Sequence, residues 1–233
     1  MMTLQGDAPV APIDDYLATL GEAVRVIAAE QLDPHEAATL SADGDAPPVV
    51  TREGSELHAV WILDVPSRDA AVEIARGAPG GAGMLELRET FTPQDFGAPP
   101  GDPPPPPAIP RKPGTHRYIA FIRSDRHGET GAMPSTDTLA AMDVYCAKLA
   151  ADDAMIGGVG LKTSARGTRV RRSAAQRLLL DGPFTESKEL VAGYMLLQVP
   201  SLDAAVDAVR PWLRIHRAQN LVPASSIEVR RLL

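Results

Sequence analysis

The chain has 233 residues, 44% of them apolar and 23% charged, with a formal net charge of −7. Those fractions exclude wholesale disorder, and the length suits one or two domains. No apolar run approaches the ~18–20 residues that span a bilayer, and a lone Cys146 excludes an internal disulfide or a cysteine metal cluster.

The N-terminal stretch MMTLQGDAPVAPIDD has no basic region and no apolar run, so no export signal is visible and a soluble, cytoplasmic protein is expected. Aromatics make up only 4%, which leaves the core to Leu, Val, Ile, Ala and Met. Charge is unevenly spread. Residues 1–91 hold 5 Lys+Arg against 16 Asp+Glu, and residues 115–233 hold 16 against 12. An acidic half beside a mildly basic one suggests mutual attraction or a charged partner, against the plainer reading of two solvated surfaces.

In chain order, the polar, proline-marked N-terminus gives no strand. A helix is expected over residues 14–29, with Asp14 or Asp15 near its cap. A reduced hairpin falls near PPVVTREGSE. Strands fit 57–65 and 84–91, around a helix at 68–76. Residues 92–114, TPQDFGAPPGDPPPPPAIPRKPG, cannot enter a helix or central strand. They read as a polyproline II spacer of at most ~70 Å. Residues 117–123 alternate as a strand. Ser135 or Thr136 caps a helix over 137–152, with Leu139, Met142, Cys146 and Leu149 on one face. Gly157, Gly158 and Gly160 read as a turn. Residues 167–172 and 176–180 form a hairpin with LLL as the inner strand. Residues 191–199 are a strand, Ser201 caps a helix through about Leu213, and 225–232 close the chain as a strand.

The two halves repeat one another. At one constant spacing, Val65-Pro66-Ser67 matches Val199-Pro200-Ser201, Asp69 to Val72 match Asp203 to Val206, and Arg76 matches Arg210. Tyr16, Leu20 and Leu32 match Tyr145, Leu149 and Leu161, while Leu85-Glu86-Leu87-Arg88 parallels Ile227-Glu228-Val229-Arg230. Units this long are duplicated domains rather than solenoid repeats. The second unit reads β-α-β-β-β-α-β, an α+β split βαβ or ferredoxin-like order. One helical layer leaves the other sheet face bare, so two units are expected to pack sheet to sheet. The expected division is a degenerate copy at 1–91, a linker at 92–114 and a complete domain at 115–233.

Segment 180–194, LDGPFTESKELVAGY, is the most specific feature. Asp181-Gly182-Pro183-Phe184 is turn chemistry between two apolar strands. With Glu186, Lys188, Glu189, Gly193 and Tyr194, and Ala192 where glycine is usual, it resembles the DGPF-type, YCII-related family. The resemblance covers about residues 115–233, and 14–91 only through the repeat. It implies a ferredoxin-like dimeric α/β-barrel assembled from two units, here a tandem fusion. Some relatives look like small lyases or dehydrochlorinases, with a His–Asp pair suggested as the active site. Asp181 matches the aspartate, but no histidine lies in the 137–152 helix, and His116 and His127 flank the first strand instead. The family also implies a regulatory role beside alternative sigma factors.

Asp181 is the candidate catalytic residue, a general base if a dry cleft raises its pKa; otherwise it accepts backbone N–H bonds within the bend. Lys188 and Glu189 either line the pocket or pair in solvent. Tyr194 either offers its hydroxyl to a ligand or packs as a core aromatic. Arg123, at the end of a strand, could bind an anion. Arg166, Arg169, Arg171, Arg172 and Arg177 lack interleaved aromatics, so an exposed basic ribbon facing the acidic half is expected rather than nucleic-acid binding. Cys146 reads as a buried thiol. The five histidines show no metal spacing, Asp125 with His127 being at most a half-site. The expected partner is therefore a small molecule bound at the DGPF loop, or alternatively a regulatory protein. No cofactor, nucleic acid or membrane is expected. The chain is expected to form an intramolecular pseudo-dimer, with homodimerisation left open.

Overall fold

A computed structural model describes residues 1–6, 9–21, 24–43, 46–99, 109–123, 128–173, 176–184, 190–217 and 224–233. The first half runs β1 (Met2–Gln5), α1 (Ala11–Thr19), β2 (Arg25–Asp43), β3 (Val49–Thr51), β4 (Leu57–Asp64), α2 (Arg68–Gly77) and β5 (Gly83–Leu87). The second runs β6 (His116–Arg123), α3 (Thr136–Ala151), β7 (Met155–Gly160), β8 (Thr168–Arg172), β9 (Arg177–Asp181), β10 (Val191–Val199), α4 (Leu202–Arg217) and β11 (Ala224–Leu232). Among the described residues the fold is mixed α+β, with four helices and one large antiparallel sheet.

That sheet has 11 strands in the order β7-β10-β6-β11-β2-β4-β1-β5-β8-β9, with β3 attached to β2. The first-half group β2-β4-β1-β5 and the second-half group β7-β10-β6-β11 therefore follow the same order. Strand β2 belongs to both groups. Residues 25–31 pair with β4, while residues 32–43 pair with β11 and, over a shorter stretch, β3. The β8–β9 hairpin pairs with β5 of the first half. Each half thus lends a hairpin to the other half's edge, and the two separate sheets expected from sequence are one continuous sheet.

Three apolar clusters follow. One lies between α4 and the second-half strands, with Tyr118, Leu197, Val209 and Leu213. Another lies under α1 and α2, with Leu4, Ile13, Trp61 and Leu85. The third draws Met1, Leu32, Leu57 and Val60 from the first half and Ile119, Phe121, Leu161 and Tyr194 from the second. It gathers on the strand faces that no helix covers. The helix after each Val-Pro-Ser is capped alike. Ala70 N donates to Ser67 Oγ (3.1 Å) and Ala204 N to Ser201 Oγ (3.2 Å).

Buried charge ties the exchanged hairpins down. On β11, Glu228 and Arg230 are 2% and 3% exposed and pair at 3.2 Å. Arg230 also donates to the carbonyls of Ser55 (2.9 Å) and Asp33 (3.0 Å), and Ser55 donates its N–H and hydroxyl to Glu228 (2.8 and 2.9 Å). Arg88, directly after β5, pairs with Glu86 at 3.4 Å and donates to the Lys162 carbonyl (2.7 Å). Glu86 also takes Arg169 of β8 at 2.8 Å.

Several expectations are corrected. Residues 2–5 do form a strand: Met2 and Leu4 are fully buried between β4 and β5, in a segment too short for its alternation to stand out. The helix expected over 14–29 is α1, which ends before Gly21 at φ 59°. From Arg25 the chain is extended, because pairing with β4 and β11 overrides helical spacing. The first-half hairpin is not confined to PPVVTREGSE, since half of β2 belongs to it. Strand β5 ends at Leu87 rather than at 91. The Gly157–Gly160 stretch is strand β7, not a turn. A Cβ on Gly158 would lie 2.7 Å from the Tyr194 carbonyl oxygen, so close approach to β10 requires glycine. In the second hairpin β8 is the inner strand and the leucines of β9 lie at the edge. The proline-rich segment is not wholly a spacer: Pro93–Phe96 forms a 3-10 turn closed by Thr92 and Asp95, and the Phe96 ring sits 5.6 Å from Phe91. Residues 100–108 lie outside the described residues.

The shared third cluster makes the halves one cooperative unit. Trp61 and Trp212 report one half each. Urea transitions followed in Trp61→Phe and Trp212→Phe should coincide, and Phe121→Ala should lower both midpoints through a loss of about 3–5 kcal/mol. Glu228→Gln strands buried guanidinium groups and should cost about 3–5 kcal/mol near neutral pH. Burial alone would push Glu228 upward, but Arg123 and the Ser55 donors outweigh it and hold the carboxyl below its ordinary range. Its contribution is then complete above the ordinary carboxylate value of about 4.3 and is lost as pH falls through the lower folded value. Denaturation of both proteins across acidic pH should show the gap between them narrowing.

Candidate functional site

Asp181 ends β9 opposite Thr168. Its Oδ1 accepts the Thr168 hydroxyl at 2.7 Å and the Arg68 guanidinium at 2.5 Å. The Thr168 hydroxyl, then Arg68, hold the carboxyl below its ordinary range, and its side chain is 68% exposed. The raised pKa expected for a base in a dry cleft is therefore corrected, because two donors and water all favour the carboxylate. The bend itself leans on the 164–167 turn. Gly182 N donates to the Gly167 carbonyl (3.1 Å) and Phe184 N to Ser164 Oγ (3.1 Å). A Cβ on Gly182 would fall 1.8 Å from the Ser164 carbonyl oxygen. The Gly182–Pro183 peptide is cis, and the Phe184 ring lies 4.2 Å from the Arg169 guanidinium.

The candidates do not converge. Arg123 is 11% exposed and ion-paired with Glu228, so its charge serves the hairpin contact. Tyr194 sits on β10, 7% exposed, and burial pushes its hydroxyl up to about 12. Lys188 and Glu189 lie outside the described residues, as do Glu186, Asp125 and His127. The arginines of the second hairpin form an exposed ribbon only in part, since Arg166, Arg171 and Arg177 are exposed. Arg169 and Arg172 are buried, Arg169 pairs with Glu86, and Arg166 pairs with Glu89 at 2.7 Å. Arg172 donates to the Pro79 carbonyl at 2.8 Å. They do face the first half, as expected. Among the described residues no three His, Cys, Asp or Glu cluster to hold a metal, and no helix is long and apolar enough to cross a membrane.

Two cavities stand out. The smaller, about 360 Å³, adjoins the Asp181 bend, since Arg68 and Thr168 are in its wall together with Arg88, Glu89 and Arg166. Its charges are already matched by Asp181, Glu86 and Glu89. The larger, about 580 Å³, lies in the second half beneath α3. Leu139, Met142 and Cys146 of α3 form one wall; Gly158, Gly160, Tyr194 and Met195 of β7 and β10 form another. Phe91 and Phe96 come from just before the prolines, and Trp212 from α4.

This cavity exists because α3 is poorly buried. Only Thr138 and Leu149 of its 16 residues are buried, whereas α4 buries Ala205, Val206, Val209, Trp212 and Leu213. The β7 glycines facing α3 supply no side chains to fill the gap. The apolar row Leu139, Met142, Cys146 and Leu149 was legible in the sequence, but only Leu149 of the four is buried in the core. Cys146 is half-buried rather than buried, and burial, then Asp143, push its thiol up, which disfavours a nucleophilic thiolate. The sequence reading missed the cavity; the glycine run opposite an amphipathic helix was its available signal.

Comparison with known proteins agrees with the second half. Residues 117–212 match the model of the YCII-related domain. An uncharacterized protein of Rhizobium meliloti (strain 1021) is 44% identical over 41 residues, which cover 18% of this chain and 33% of that protein. The match thus spans about a third of that relative. That model takes in β6, α3, β7, the β8–β9 hairpin, β10 and most of α4, so the likeness to the YCII-related domain lies in the second half of the chain.

Proposed function

We propose that this protein binds an apolar, ring-bearing small molecule in the cavity beneath α3. The observation that carries this reading is the composition of the walls. Aromatics are 4% of the chain, yet the cavity takes one of two tryptophans, two of four phenylalanines and four of seven methionines. Its volume lies within the range of small-molecule pockets. Aromatic faces and thioether sulfurs favour a flat, polarisable ligand. Asp143 stands at the exposed rim.

The same reading takes the chain as a fused pair of ferredoxin-like units. The shared strand order, the twin Val-Pro-Ser caps and the paired Glu-x-Arg segments support it. The first unit has a nine-residue α1 that buries Ile13 and Leu17, whereas α3 of the second unit spans the larger cavity. Asp181 then serves as a brace that joins the hairpin to α2.

Calorimetric titration with 2-naphthol should show saturable binding. Leu139→Trp fills the space and should weaken it at least about tenfold, or ~1.4 kcal/mol, without lowering the thermal midpoint. Equal affinity in a folded Leu139→Trp protein would remove this site from consideration.

A further inference from the structure

We propose that β9 is a self-association edge through which two copies of this chain pair antiparallel about a two-fold axis at Leu179. Strand β9 ends the sheet, and among the described residues no strand pairs with its outer side. Edge strands are ordinarily protected by lysine, proline or a bulge. This one reads Arg-Leu-Leu-Leu-Asp, with an unbroken register against β8. Leu178 and Leu179 are 47% and 38% exposed.

The hydrogen-bond phase fixes which groups face outward. Ser173 N donates to the Gln176 carbonyl (2.9 Å) at one end of the hairpin and Gly182 N to the Gly167 carbonyl (3.1 Å) at the other. Alternation between those ends directs the backbone of Leu178 and Leu180 toward β8. The N–H and C=O groups of Arg177, Leu179 and Asp181 therefore point away from the sheet.

Those three residues are self-complementary. In an antiparallel pair centred on Leu179, each Leu179 lies opposite its copy, and each Arg177 lies opposite Asp181 of the second copy. All three positions are hydrogen-bonding positions, so every free backbone group on the edge finds a partner. Arg177, whose guanidinium also donates to the carbonyls of Arg76 and Ala78, lies opposite Asp181, a juxtaposition of opposite charge, and Asp181 keeps 68% of its side chain exposed beyond its bonds to Arg68 and Thr168. A strand without this symmetry would place like charges or unmatched side chains across the axis. The leucines of both copies meet across the join, on both faces of the widened sheet. An isologous contact of this kind closes on itself as a dimer. Its small area makes the association concentration-dependent.

Sedimentation over a wide concentration range, combined with cysteine crosslinking in a Cys146→Ser background, tests this. The native chain should shift from monomer to dimer, and Leu179→Lys should return it to monomer. Leu179→Cys should oxidise to a covalent dimer, because directly opposite Cα atoms lie about 5.5 Å apart. Leu178→Cys, which faces Leu180 of the other copy, should not. A native chain that stays monomeric throughout overturns the proposal. So does a dimer that neither crosslinks at 179 nor responds to Leu179→Lys. The native sedimentation result stands even if a variant fails to fold.

Discussion

The structure depends on two buried ion pairs, one in each half of the chain. Glu228–Arg230 and Glu86–Arg88 each stand two residues apart, on or just beyond the last strand of a half, in surroundings almost closed to water. Removing charge from water costs several kcal/mol per ion and is offset only where each group is fully engaged. Here that engagement comes from the borrowed hairpin. Arg230 reaches the Asp33 carbonyl and Arg88 the Lys162 carbonyl, at positions that correspond in the two halves. If either hairpin left, it would abandon buried charge. The exchange is therefore specified as well as stabilised.

From that constraint the rest of the architecture follows. Exchanged hairpins make β2 long enough to serve both strand groups. The strand faces that helices leave bare then meet in the third apolar cluster, where Phe121 and Leu57 are buried together. The basic hairpin of the second half lies along the first half, matching Arg169 with Glu86 and Arg166 with Glu89. Much of the charge asymmetry along the sequence is thereby spent inside the molecule.

The two helices of the second half are packed differently. Helix α4 is packed into the core, while α3 spans a space lined by methionine, aromatic rings and glycine backbone. Filling that space would bury a face of α3 that is already apolar. The signature bend at Asp181 lies elsewhere, bracing β9 against α2 and the 164–167 turn. Conspicuous residues in the sequence and the larger of the two cavities are thus different places.

The sequence by itself determined the second half almost element by element. Alternation, serine caps and helical spacing are local signals, and they located β6, α3, β10, α4 and β11 and the repeat that relates the halves. Only the tertiary structure decided the rest. Strand β1 is recognisable by its burial between β4 and β5, and residues 25–29 are extended because partners distant in sequence pair with them. Which strand of the second hairpin is inner depends on β5 reaching β8. Asp181 is held ionised by the Thr168 hydroxyl and then by Arg68, the latter more than a hundred residues away in sequence, a partner no local pattern announces. The cavity, likewise, is a property of side chains that are missing opposite α3, and absence in space has no single residue to mark it.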